Sequence, residues 1–152
     1  WKQIAENVYG LKMGETNEFH RACLNVPFSV NVTQSKDRDR LPHVDFPPES
    51  TGRGWAGLIY LNKGKEISGG TGFYTYKGMQ INPDQDGIWD EDYVADSIGP
   101  WELIHLAKMK YNRMIMYPDN ILHGVYDKDL IYKDDLYRLV QVFFLPLHFA
   151  QQ

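Results

Sequence analysis

The sequence predicts a mainly β domain of the sandwich or jelly-roll kind, on three observations. The dominant hydrophobic period is two, the pattern of a strand with one buried face. Glycine, proline, asparagine and aspartate break that period at short intervals, which suits tight turns between short strands. The 152 residues include 10 Tyr, 7 Phe and 4 Trp, which is ample material for one core in a chain too short for two typical domains. The expectation is a single domain over residues 1–152 with its core in 26–146. That reading leaves room for missing N-terminal elements.

The elements follow in order. Residues 1–13 hold a first helical candidate, ending at Gly10 or Gly14. Val26, Phe28, Val30 and Val32 alternate with Pro27, Ser29, Asn31 and Thr33 as a first strand. Residues 55–62 read as a largely buried strand, and 70–76 as a strand launched by the Gly69-Gly70 pair, where glycine's permissive backbone is needed. Residues 111–117, 121–125 and 138–145 complete the strand set. A second helix is expected over residues 100–109, with Pro100 in its first turn and Leu103, Leu106 and Ala107 on one stripe. These two segments are the few flanking helices of the predicted fold. Residues 77–99 form a long acidic connection containing Trp89 and Tyr93. A connection of that length marks a lid, a partner surface, or a loop folded back on the core.

Charge and cysteine content narrow the function classes. The formal net charge of −4 gives no electrostatic footprint for nucleic acid or anionic lipid. The alternating run Lys36-Asp37-Arg38-Asp39-Arg40 is a solvated loop rather than a basic patch. Cys23 is the only cysteine, so no intrachain disulfide forms, and a reducing, cytoplasmic setting is expected. No stretch approaches a membrane span and no signal-peptide pattern opens the chain.

The residues with most chemical content are His43-Val44-Asp45 and, 80 positions later, His123. In an extended segment the side chains at 43 and 45 point the same way. His123 falls in the Ile121-His123-Val125 phase of a later strand. Two imidazoles and one carboxylate cap one face of an octahedral iron(II) and leave the other open. The plain alternatives are a loop histidine, a turn-forming aspartate and a half-buried strand histidine. Arg138 opens the apolar run that ends at Leu145. Pointing inward, it needs an anionic partner, and the guanidinium fork matches a carboxylate; pointing outward, it is a rim arginine paired with Asp134 or Asp135. Tyr60 shares a face with Leu58 and either offers its hydroxyl inward or simply packs.

In their order along the chain, several segments resemble 2-oxoglutarate/iron(II)-dependent oxygenases, most nearly the prolyl 4-hydroxylase-like branch. They are His43-Val44-Asp45-Phe46-Pro47, the turn through Gly52 and Gly54, Leu58-Ile59-Tyr60-Leu61-Asn62-Lys63, and Ser68-Gly69-Gly70. Asn112-Arg113-Met114-Ile115-Met116-Tyr117 before His123, and Arg138 leading an aromatic-rich strand, continue the series. The resemblance spans residues 41–146 and implies a double-stranded β-helix, a jelly roll of cupin-like build. It implies iron(II) held by His43, Asp45 and His123. It also implies that 2-oxoglutarate is anchored through its distal carboxylate by Arg138 and Tyr60, with O2 as oxidant and ascorbate as an auxiliary reductant. Related halogenases carry a small residue in place of Asp45, so the carboxylate points to hydroxylation or hydroxylation-driven demethylation. The implied substrate is a peptide or amino-acid side chain, or a small molecule.

Two departures from the family pattern stand out. The 15 residues from His123 to Arg138 exceed the usual gap, with residues 127–135 as an insert that a hairpin extension would absorb, and Arg113 is the fallback cation. The region before residue 20 is short for a complete member. The competing readings from other classes are a non-catalytic cupin-like module that binds a metal or ligand, and a capsid-like structural jelly roll. The latter has no use for a converging His-Asp-His-Arg set.

Overall fold

The computed structural model describes residues 29–34, 41–45, 53–64, 68–81, 83, 86, 88 and 94–147. These residues build a mainly β structure of seven strands: β1 (Ser29–Thr33), β2 (Arg53–Tyr60), β3 (Gly70–Tyr76), β4 (Trp101–Lys108), β5 (Met114–Pro118), β6 (His123–Tyr126) and β7 (Arg138–Leu147). They form two antiparallel sheets, one ordered β1-β7-β2-β5 and the other β4-β3-β6. The chain crosses repeatedly between the sheets. Residues 41–45 join the smaller sheet beside β6 through a His43–His123 bridge, with the two backbone hydrogen bonds at 2.8 and 3.0 Å.

Alternation along each strand sorts the side chains into a shared interior and two outer faces. From the larger sheet, Leu58, Tyr60, Tyr117, Val140 and Arg138 are buried. From the smaller sheet Thr71 and His123 are buried with them, and the Phe73 ring meets the Tyr117 ring edge-on at 5.1 Å across the gap. The start of β3 is fixed by glycine. Gly69 has φ of 88°, and a Cβ on Gly70 would collide with the Ala107 carbonyl of the neighbouring strand. Both positions therefore exclude other residues at low cost, as the sequence predicts.

One element differs in kind from its prediction. Residues 101–108 form the edge strand β4, not a helix, and the reason is a β-bulge. Tyr74 pairs with Leu103 while Phe73 pairs with His105, so Ile104 is the extra residue. A bulge shifts the phase of alternation, placing Leu103 and Leu106 on the same outer face three positions apart. That spacing imitates a helical stripe. No helix occurs among the described residues, so the expected flanking helix here is corrected to a strand. The candidate over residues 1–13 and the first three residues of the strand expected at 26–33 lie outside the described residues. β5 starts at Met114 rather than residue 111 because Tyr111 and Asn112 form a turn, Asn112 with φ of 60°.

The described parts of the connection 77–99 fold back onto the core. Ile81, Ile88 and Val94 pack with Tyr74, Trp101 and Leu122 on the outer face of the smaller sheet. The Tyr74 hydroxyl anchors the segment by donating to the Ala95 carbonyl at 2.9 Å. Asp96 then accepts from the Tyr126 hydroxyl at 2.8 Å and pairs with Lys128 at 2.5 Å. Trp89 and Tyr93 lie outside the described residues. No helix among the described residues is long and apolar enough to cross a membrane.

Candidate metal centre

The strand geometry brings three of the sequence-predicted residues together. The donor atoms of His43, Asp45 and His123 all lie within 4.8 Å of one another. Asp45 Oδ2 stands 3.5 Å from His123 Nε2, and Asp45 Oδ1 stands 3.9 Å from His43 Nε2. Two atoms bound to one ion at about 2.1 Å cannot lie more than about 4.2 Å apart; both carboxylate–imidazole separations meet that limit. The cause is local. The His43–His123 bridge fixes the two imidazoles side by side, ring centroids 4.6 Å apart. Asp45, two residues on, is pinned by its backbone N–H donating to the Asp119 carbonyl at 3.0 Å.

The electrostatics of the cluster suit a cation. His123 Nδ1 lies 2.9 Å from the Ile121 carbonyl. A carbonyl only accepts, so Nδ1 carries the proton and Nε2 presents its lone pair to the cluster, the usual arrangement for a metal-bound histidine. Burial holds the His123 imidazole down to about 4, with the Ile121 hydrogen bond opposing in part. Burial likewise pushes the Asp45 carboxyl up to about 6; His43 opposes the shift and Asp119 adds to it. Asp45 Oδ2 is buried with no hydrogen-bond partner. A buried, unsatisfied carboxylate oxygen is costly, and a bound cation removes that cost. The donor set therefore fits iron(II) or another divalent ion that accepts nitrogen and oxygen ligands.

A stability prediction follows from Asp45. Its folded pKa lies above the 3.8 of the unfolded chain, so the ionised carboxylate destabilises the metal-free fold above pH 6 and not below pH 4. Asp45→Asn is expected to raise the metal-free thermal midpoint at pH 7.5 by roughly 2–4 °C, about 1 kcal/mol, a figure discounted because the carboxylate keeps some solvent contact. Scanning calorimetry from pH 8 to pH 4 checks it. The gain over wild type should shrink as pH falls through 6.

Arg138 faces the same space from the opposite sheet. A cavity of about 190 Å³ is lined by His43, Asp45 and His123 together with Thr71, Asp127, Tyr132 and Arg138. Arg138 is 4% exposed, which excludes the rim alternative. Its Nη2 donates to the Gly70 carbonyl at 3.3 Å and reaches Thr71 Oγ1 at 3.5 Å. Thr71 sits two residues before Phe73, the strand partner of His123. That offset sets the guanidinium about 7 Å along the strand from the level of the triad. Arg113, by contrast, is exposed and donates to the Lys108 carbonyl at the β4–β5 turn.

Tyr60 takes a supporting position. Its hydroxyl donates to the Ala107 carbonyl at 2.9 Å and lies 2.9 Å from Thr71 Oγ1. Its ring centre is 5.9 Å from the Arg138 guanidinium carbon, within cation–π range. Tyr60 thus meets the cavity through Thr71 and Arg138.

Besides Thr71, sequence reasoning missed three lining residues to which the site gives a part. The insert at 127–135 folds inward as two turns instead of a hairpin, burying Asp127 and Tyr132. The Asp127 carboxylate accepts from the Ile131 N–H at 3.1 Å, and the Tyr132 hydroxyl donates to the Ser68 carbonyl at 2.8 Å. The third is Tyr117, whose ring lies 4.5 Å from that of His123. Its signal was present as the alternation Ile115, Tyr117 in β5. Compared with family models, curated proteins and solved structures, the chain matches none.

Proposed function

We propose that the chain is a 2-oxoglutarate- and iron(II)-dependent dioxygenase that hydroxylates a peptide or amino-acid side chain, or a small molecule. The observation that carries this reading is one small cavity lined both by a His-Asp-His cluster from one sheet and by Arg138 from the other. The strand order supports a double-stranded β-helix. Counting residues 41–45 beside β6, successive strands alternate larger, smaller, larger, smaller, then smaller, larger, smaller, larger, and all the pairings are antiparallel. That is the connectivity of two interleaved four-strand turns.

His43, Asp45 and His123 would hold the iron and leave the remaining coordination positions toward the cavity. When bound, iron(II) with 2-oxoglutarate and O2 supplies oxidative decarboxylation, releasing succinate and CO2 and delivering one oxygen atom to the substrate C–H bond. The chain's own residues bind and orient. Arg138 provides the fork for the distal carboxylate, with Tyr60 and Thr71 holding it in place. Val140, Val142 and Phe144, three inward positions of β7, give the cavity an apolar wall that excludes water.

The test is anaerobic titration with iron(II), then with 2-oxoglutarate, followed by visible absorption. The expected result is a metal-to-ligand charge-transfer band that needs both. Iron binding without a response to 2-oxoglutarate would instead favour a metal-binding module.

A further inference from the structure

Beside Asp45, Tyr117 is a residue of the cavity wall with a polar atom that has no hydrogen-bond partner among the described residues. It is 7% exposed, its ring is held between His123 and Phe73, and it lines the same cavity as the triad and Arg138. Among the described residues, the other buried tyrosines all spend their hydroxyls within the protein. Tyr60 donates to Ala107, Tyr74 to Ala95 and Tyr132 to Ser68. The Tyr117 hydroxyl has no hydrogen-bond partner among the described residues. Buried tyrosines ordinarily find one, so an unpartnered hydroxyl on a residue that lines the cavity points to a ligand. Burial, reinforced by Asp45, pushes the phenol well above its ordinary range, while Arg138 opposes. The group therefore stays a neutral donor, near enough to both Asp45 and Arg138 to feel their charges.

We infer that the Tyr117 hydroxyl binds the 2-oxo acid directly, donating a hydrogen bond to an oxygen at its metal-proximal end. The placement follows from the ring. The Tyr117 ring lies beside that of His123, at the level of the triad, whereas Arg138 meets Gly70 and Thr71, two to three residues along the strand from Phe73, the partner of His123. A 2-oxo acid would then be gripped by the metal and Tyr117 at one end and by Arg138 at the other. This rests on the oxygenase reading above, and it gives a ligand contact to a residue to which the resemblance assigned no role. It also makes a distinction between ligands. The Tyr117 contact should serve any 2-oxo acid, while the Arg138 contact should serve only those with a second carboxylate.

The experiment is calorimetric binding of 2-oxoglutarate and of pyruvate to manganese(II)-loaded wild type and Tyr117→Phe, manganese standing in for iron so that no turnover intervenes. Phenylalanine keeps the ring against His123 and Phe73, so manganese affinity should stay within about twofold of wild type, which also reports that the variant is folded. The expected result is a roughly tenfold weaker Kd for both oxo acids, the loss of about one hydrogen bond to a charged group. Unchanged binding of both by Tyr117→Phe overturns the inference and leaves the oxygenase reading intact. A loss confined to 2-oxoglutarate overturns the placement at the proximal end. Wild type that takes up manganese but neither oxo acid overturns the inference and the oxygenase reading together. Should Tyr117→Phe fail to take up manganese, ultraviolet difference spectra of wild type decide. The tyrosine signal shifts on 2-oxo acid binding if the hydroxyl gains its bond, and an unshifted signal overturns the inference.

Discussion

His123→Ala is expected to abolish iron retention, lowering metal affinity by more than about 100-fold. Loss of a mere supporting hydrogen bond around a metal ligand commonly costs about 10–100-fold, and this substitution removes the ligand itself. The other two donors, His43 and Asp45, sit on one short extended segment and cannot enclose an ion alone. The fold should survive. His123 holds its place in β6 through backbone hydrogen bonds to His43, which alanine keeps, and the lost imidazole was buried in its neutral form. Metal content after dialysis against a defined iron(II) buffer, with circular dichroism beside it, checks the prediction. Retention of stoichiometric iron by His123→Ala would remove that residue from the site.

Arg138→Met should leave iron binding alone and weaken 2-oxoglutarate by about 10–150-fold. That range corresponds to the ~1.5–3 kcal/mol typical of a hydrogen-bonded charge. Methionine follows the path of the arginine stem and limits the loss of packing around a residue that is 4% exposed. Pyruvate, which lacks the distal carboxylate, should bind wild type and Arg138→Met alike. Arg113→Ala is the matched control, since Arg113 spends its guanidinium on the Lys108 carbonyl at the surface. If Arg113→Ala alone weakened 2-oxoglutarate, the anchor would be assigned to the wrong residue.

The parts of this site that sequence reasoning reached are those governed by alternation. His43 and Asp45 share a side because they are two apart in an extended segment, and His123 joins them because its strand carries the same phase. Arg138 was legible as the charged residue opening an apolar strand, with an inward and a rim position both open, and its burial decides for the first. The errors have equally local causes. The bulge at Ile104 places two leucines three apart on one face, and a helix and a bulged strand then look alike in sequence. The insert at 127–135 carried no period at all. Its inward fold depends on positive φ at Leu130 and Asp134 and on the Asp127 and Tyr132 hydrogen bonds, none of which a hydrophobic pattern encodes. Tyr117 was visible as a member of an alternating strand, but its place on the cavity wall and its unpartnered hydroxyl are properties of the assembled fold. Residues 77–99 illustrate the remaining ambiguity, because an acidic loop with scattered apolar residues reads as lid or cover equally. Ile81, Ile88 and Val94 settle the described part as a cover for the smaller sheet's outer face.

Joint binding of metal and oxo acid is read from the anaerobic absorption spectrum of the protein with iron(II), recorded before and after 2-oxoglutarate is added. A charge-transfer band should appear only with both present, be lost in His123→Ala, and need much more 2-oxoglutarate in Arg138→Met. Stoichiometric iron binding with no such band at saturating 2-oxoglutarate would contradict the oxygenase reading.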